Sequence, residues 1–131
     1  MNGADIQFIA DTSAVIALMR GDKRTQSQIG NAHFAVTFVT LAELNLGVLK
    51  SAKREAAWTS VRTVLRDRIM LHVSTVTPAI YARVYFELEQ RGQLIPINDI
   101  WIAALALETG LPVIARDEHF SRVEGLTVIN C

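Results

Sequence analysis

The sequence is short of cysteine, of proline and of any excess charge. Its lone cysteine, Cys131, excludes an intramolecular disulfide and a cysteine-based zinc site within these residues, and it fits a reducing, cytoplasmic setting. Three prolines and seven glycines in 131 residues never cluster, so no linker stands out. With no internal repeat or low-complexity segment either, a single domain over residues 1–131 is expected. The longest apolar tract, Ile100 to Leu107, stops at Glu108, far below the roughly 20 residues of a membrane-spanning helix. The opening MNGADIQFIADTSA has no basic region and only a short apolar stretch before Asp11, so it is not expected to act as a secretory leader. Thirteen Lys plus Arg balance thirteen Asp plus Glu, which argues against a molecule-wide basic field but leaves the local distribution open.

Familiar chemical motifs are missing as well. No G-x-x-x-x-G-K-[ST], G-x-G-x-x-G, G-x-S-x-G or H-E-x-x-H pattern occurs, which leaves nucleotide triphosphatase, dinucleotide enzyme, serine hydrolase and zincin readings without their chemistry. The three histidines fall at unpromising places. His33 is expected in a loop, His72 in a strand and His119 in a late surface turn, each structural or solvated.

What is present is a hydrophobic fraction of 50%, enough for a core and for an apolar surface used in association. Short Ile/Val/Phe runs alternate with stretches of helical period, the signature of an α/β layer fold around a mostly parallel sheet. Strands are expected at Gln7–Ala10, Ala35–Val39, Met70–Val73, Val113–Ala115 and Thr127–Ile129. Helices are expected at Ser13–Arg20, Lys23–Ala32, Leu41–Lys50, Lys53–Arg68, Pro78–Arg91 and Ile100–Thr109, with a short turn at Glu118–Val123.

Four carboxylates fall near strand ends or helix starts. Asp11 follows the strand QFIA, Glu43 follows AVTFV, Asp117 follows VIA, and Asp99 opens the most apolar helix. In an open parallel sheet the carboxyl edge is where ligands bind. Each acid also has a capping explanation: Asp11 and Asp117 as N-caps, Asp99 as a first-turn acid beside an Asn98 cap, and Thr40 to Glu43 as a capping box. Convergence of all four would be costly, since two carboxylates about 4 Å apart at an effective dielectric near 20 repel by about 4 kcal/mol. Protonation or a hard cation, Mg²⁺ or Mn²⁺, would offset that, and the latter suggests a phosphate-ester substrate.

The ordered set I-A-D-T-S-A, T-L-A-E-L, N-D-I-W-I-A-A-L-A and V-I-A-R-D-E-H-F resembles a PIN domain, and more narrowly the VapC-type toxins of toxin–antitoxin modules. The resemblance implies a three-layer α/β/α sandwich with a central five-stranded, mostly parallel sheet, and an Mg²⁺- or Mn²⁺-dependent endoribonuclease. By position, Asp11 and Asp99 match the metal-binding aspartates, Glu43 and Asp117 the remaining acids, and Thr12 or Ser13 the hydroxyl supporting the first aspartate. Ala115 departs from the pattern, since relatives often carry Thr or Ser there. An antitoxin protein and a second copy of the chain are the implied partners, covering apolar faces such as Leu44 to Leu49 or Tyr81 to Leu88, most of whose residues have the ordinary alternative of covering the sheet.

RNA needs cations. Arg20, Lys23, Arg24 and Arg116 are candidates, and Arg54, Trp58, Arg62 and Arg66 recur every fourth residue as a basic stripe or an ordinary solvated face. Arg116 would meet a phosphate or neutralise Asp117. Two other readings compete: a catalytically silent PIN-like module that binds RNA or protein, and an aspartyl-nucleophile phosphatase, which wants Asp-x-Asp where Ser13 stands.

Overall fold

A computed structural model describes residues 5–131; residues 1–4, which begin the stretch weighed as a leader, lie outside the described residues. The strands are β1 (Ile6–Ala10), β2 (His33–Thr37), β3 (Ile69–Leu71), β4 (Val113–Ala115) and β5 (Val128–Asn130). Six helices are α1 (Thr12–Met19), α2 (Lys23–Ile29), α3 (Phe38–Lys50), α4 (Arg54–Leu65), α5 (Thr77–Gln90) and α6 (Ile97–Thr109), with a 3-10 turn at His119–Arg122. The sheet order is β3-β2-β1-β4-β5, and every pairing is parallel.

Side-chain alternation along the strands divides the interior into two layers. Ile9, Ala35, Val113 and Ala115 point into one core with Val84, Leu88, Ile100 and Ala103 of α5 and α6. Phe8, Ala10, Phe34, Val36 and Ile114 point the opposite way, against Val15 of α1, Ile29 of α2, Leu44 of α3 and Val61 of α4. Burial on both faces explains why the strands read as unbroken apolar runs. Strand order reverses between β1 and β4, the switch point at which a crevice opens outside the carboxyl ends.

Several boundaries differ from the sequence expectation for local reasons. Strand β2 begins at His33, which is therefore not in a loop, and ends at Thr37. Thr37 caps α3 by accepting from the Thr40 N–H at 3.4 Å, so Phe38 and Val39 belong to the helix. The proposed Thr40–Glu43 capping box is displaced, because Thr40 lies inside α3. Helix α6 starts at Ile97 with Pro96 as its N-cap, so Asn98 is not a cap and Asp99 is the third helical residue. Helix α4 ends at Leu65, where Arg66 turns extended and Asp67 takes φ 60°. Helix α2 stops at Ile29, and Gly30 adopts φ 54°. Strand β3 ends at Leu71, leaving His72 just beyond it, and β5 is shifted by one residue to Val128–Asn130. Among the described residues no helix is long and apolar enough to cross a membrane.

Candidate metal centre

Asp11 leaves the end of β1 and caps α1, accepting from the Ser13 N–H at 3.2 Å and the Ser13 hydroxyl at 2.7 Å, both on Oδ2. Its residue is only 3% exposed. The Ser13 Oγ in turn accepts from the Arg116 N–H at 3.0 Å, which ties the end of β4 to the start of α1. Burial, partly countered by the Ser13 hydroxyl and reinforced by Asp99 and Asp117, pushes the Asp11 carboxyl up to about 6. A raised value at an N-cap is informative, because capping and the helix dipole act in the opposite direction.

Glu43, on the second turn of α3, accepts on Oε1 from the Thr12 hydroxyl at 2.7 Å. Thr12 Oγ1 also lies 3.0 Å from the hydroxyl of fully buried Thr40. The adjacent hydroxyls therefore divide the work: Ser13 holds Asp11, while Thr12 holds Glu43 from the neighbouring helix.

Asp99 and Asp117 meet at His119. The imidazole Nδ1 lies 2.8 Å from Asp99 Oδ2 and 3.6 Å from Asp117 Oδ1, and the His119 backbone N–H donates to Asp117 Oδ1 at 3.0 Å. Burial raises the Asp99 carboxyl, His119 opposes that, and Asp117 and Glu43 add to it. Asp99, Asp117 and His119 offer ligand atoms within 4.8 Å of one another. His119 therefore sits among the acids, where the sequence reading had it structural or solvated. The missed signal was its spacing, two residues after Asp117, which suits a side-chain-to-backbone turn.

A common pattern runs through the four acids. Asp11 Oδ2, Glu43 Oε1, Asp99 Oδ2 and Asp117 Oδ1 are each held by a donor. Among the described residues, the second oxygen of each carboxylate accepts nothing. No Lys or Arg there pairs with any of the four; Arg116, next to Asp117 in sequence, instead joins Asp22 at 2.7 Å. Asp22 caps α2 through Thr25, and these bonds with the Arg116 guanidinium lower its carboxyl to about 2. Arg116 thus does not neutralise Asp117.

Ala115 is fully buried, in the layer packed on α5 and α6. The hydroxyl absent there leaves Asp117 with the His119 N–H as its anchor. The four-residue basic stripe is broken: Arg54 Nε donates to the Leu49 carbonyl, Arg66 lies beyond α4, and only Arg62 stacks over Trp58 at 5.5 Å. Arg20 and Arg116 line a cavity of about 420 Å³ together with Ser13 and Asp22, while Lys23 and Arg24 are exposed on the first turn of α2.

Comparison with known proteins agrees with this geometry. Residues 8–126 match the family model of the PIN domain. Ribonuclease VapC5 of Mycobacterium tuberculosis is 35% identical over 119 residues, covering 89% of this chain and 87% of its own. The crystal structure of VapBC-5 from the same organism, a member of the VapBC family of toxin–antitoxin systems, superposes with TM-score 0.80 at 33% identity, covering 95% of this chain and 98% of that one. The fold is also that of VapBC2 from Rickettsia felis bound to a promoter DNA fragment, at TM-score 0.88 and 24% identity, with 95% and 98% covered. With nearly the whole chain matched and the sheet order, acids and hydroxyl anchors in place, the chain belongs to the PIN-domain family, among its VapC-type members.

Proposed function

We propose that the chain is a divalent-cation-dependent endoribonuclease, the toxin of a toxin–antitoxin pair. The observation that carries this reading is Asp11, a carboxyl group 3% exposed that Asp99 and Asp117 both push toward protonation. A bound cation would supply the missing positive charge. The donor set is dominated by carboxylate oxygens, each acid with one oxygen anchored and one free, and it fits a hard ion such as Mg²⁺ or Mn²⁺. Asp11 and Asp99 would hold it, directly or through water, with Glu43 and Asp117 completing the cage. When bound, such an ion lowers the pKa of a water and offsets charge on a phosphate.

The chain's own residues supply position. Ser13 keeps one Asp11 oxygen turned into the sheet edge, and Thr12 fixes Glu43 so that its free oxygen orients the attacking water. In-line attack on the phosphodiester leaves a 5′-phosphate and a 3′-hydroxyl. Arg20 and Arg116 offer the RNA backbone a cationic cavity beside Ser13, and Lys23 and Arg24 extend it. Since Asp22 already pairs with Arg116, the surplus charge in that cavity comes from Arg20.

A protein partner accounts for the apolar surface. Ile16, Met19, Leu44, Val48 and Val61 line a groove of about 450 Å³ between α1, α3 and α4, and Glu43 and Arg20 lie along it. An amphipathic antitoxin segment seated there would lie against Glu43. Leu46 and Leu49 on α3 and Phe86 on α5, exposed by 51%, 60% and 60%, are the side chains a homodimer would cover.

The deciding experiment is cleavage of structured RNAs by the wild type and by Asp11→Asn, with Mg²⁺ or Mn²⁺ and with excess EDTA. Cleavage that needs the ion and Asp11 and leaves 5′-phosphate ends supports the assignment. Activity that survives both the substitution and the chelator sinks it.

A further inference from the structure

Among the described residues, His119 is the one side chain in contact with the acids that the proposed chemistry does not use. It touches two of them differently: its ring Nδ1 meets Asp99 Oδ2 at 2.8 Å, and its main-chain N–H meets Asp117 Oδ1 at 3.0 Å. Asp99 projects from the first turn of α6 and Asp117 from the loop after β4, so no shared element fixes the distance between them. Phe120, next in sequence, is fully buried in the α5–α6 core and anchors the 3-10 turn that carries His119. An anchored turn that donates to both carboxylates sets their separation.

We propose that His119 is a positioning residue that presents the free oxygens of Asp99 and Asp117 to the divalent ion without ligating it, an inference that rests on the metal-dependent reading above. An ionised carboxylate only accepts, so Nδ1 carries the proton in the Asp99 bond and offers a metal no lone pair; the one left on the ring is at Nε2, the nitrogen that takes no part in that bond. The ring therefore plays the part that a carbonyl or carboxylate plays behind a metal-bound histidine, with the polarity reversed: it orders the ligand's unused oxygen. Losing such a support typically costs about 10- to 100-fold in metal affinity or activity.

The test is Mn²⁺ titration of the full chain, followed by electron paramagnetic resonance, for the wild type, His119→Ala, His119→Asn and Asp11→Asn. His119→Ala keeps the main-chain donor to Asp117 and loses only the ring; its Kd for Mn²⁺ is expected to rise by about 10- to 100-fold. Asn places an amide N–H close to where Nδ1–H lies, so His119→Asn should recover most of that loss. Cleavage at saturating Mn²⁺ should then return toward the wild-type kcat in both variants, with the defect confined to the metal requirement. Wild-type affinity in His119→Ala overturns the positioning role. So does His119→Asn binding as weakly as the alanine variant, which would make the imidazole itself a ligand. A wild type that binds no Mn²⁺, or an Asp11→Asn variant that binds it as the wild type does, overturns the metal reading and this inference with it.

Discussion

Removing the Asp11 charge should stabilise the metal-free protein, an unusual outcome for substitution of a buried, hydrogen-bonded residue. The carboxyl moves from 3.8 to about 6 on folding, chiefly through burial. A shift of that size is worth about 3 kcal/mol against the folded state once the group is ionised. The sign follows from proton uptake. Between pH 3.8 and about 6 the folded chain binds the Asp11 proton more tightly than the unfolded chain does, so wild-type stability falls as pH rises through that window. Below it both states are protonated and the penalty vanishes; above it the penalty is constant.

Asp11→Asn removes this dependence while keeping an N-cap about as good as aspartate and an oxygen for Ser13. Loss of the favourable charge–dipole interaction at α1 returns about 0.3–1 kcal/mol. The net expectation is a gain of about 2–3 kcal/mol at pH 8 in EDTA, shrinking to nothing near pH 4. Urea unfolding of both proteins across that range measures it, and Mg²⁺ or Mn²⁺ should then stabilise the wild type alone. Equal stability at pH 8, or a less stable variant, would mean that Asp11 is simply a cap whose charge the fold tolerates.

Four further outcomes follow from the same contacts. Ser13→Ala removes the hydroxyl from Asp11 and the acceptor of the Arg116 N–H, and should cut metal-dependent cleavage by about 10- to 100-fold, measured against metal concentration. Thr12→Val frees Glu43, which completes the cage and orients the water, and should both raise the Kd for Mn²⁺ and lower kcat at saturating Mn²⁺; an unchanged kcat there would take the water-orienting role from Glu43. The Asp22 carboxyl is depressed to about 2, so the stability it contributes is present above its ordinary value of 3.8 and lost as pH falls through about 2; thermal melts of Asp22→Asn should lack that acid limb. Leu88→Ala, in the α5–α6 layer, should cost about 2–5 kcal/mol in urea unfolding without changing metal affinity.

The layer architecture was legible because burial on both sheet faces leaves a coarse signal: apolar runs of strand length separated by helical stretches. The errors cluster where one residue serves two periods. Phe38 and Val39 continue the apolar run of β2, and only the Thr37 hydroxyl, reaching the Thr40 N–H, shows that the chain has already turned into α3. Asn98 is a better cap by composition than Pro96, yet the Asp99 and Ile100 N–H groups both donate to the Pro96 carbonyl. Local propensity ranks candidates for such positions, and tertiary packing chooses among them.

The acids were easier to find than the groups that hold them. Asp11, Glu43, Asp99 and Asp117 could be ranked from strand ends and helix starts, since crossover topology carries those positions to one edge. Ser13 and Thr12 were found as a pair but not told apart, because which hydroxyl faces its own helix's cap and which faces α3 depends on how α1 packs on α3. His119 was discounted for a reason that is sound elsewhere: a histidine in a late surface turn has no periodicity to recommend it. Its place among the acids comes from the buried neighbour Phe120, which fixes the turn, and from Asp99, some twenty residues away, which meets the ring only after α6 has packed on the sheet. A charge sum of zero concealed the same kind of information. Four carboxylates with no arginine or lysine paired to them among the described residues lie beside a cavity where Arg20 is left over once Asp22 has paired with Arg116, so charge of the two signs is separated locally. A neutral total cannot report that separation.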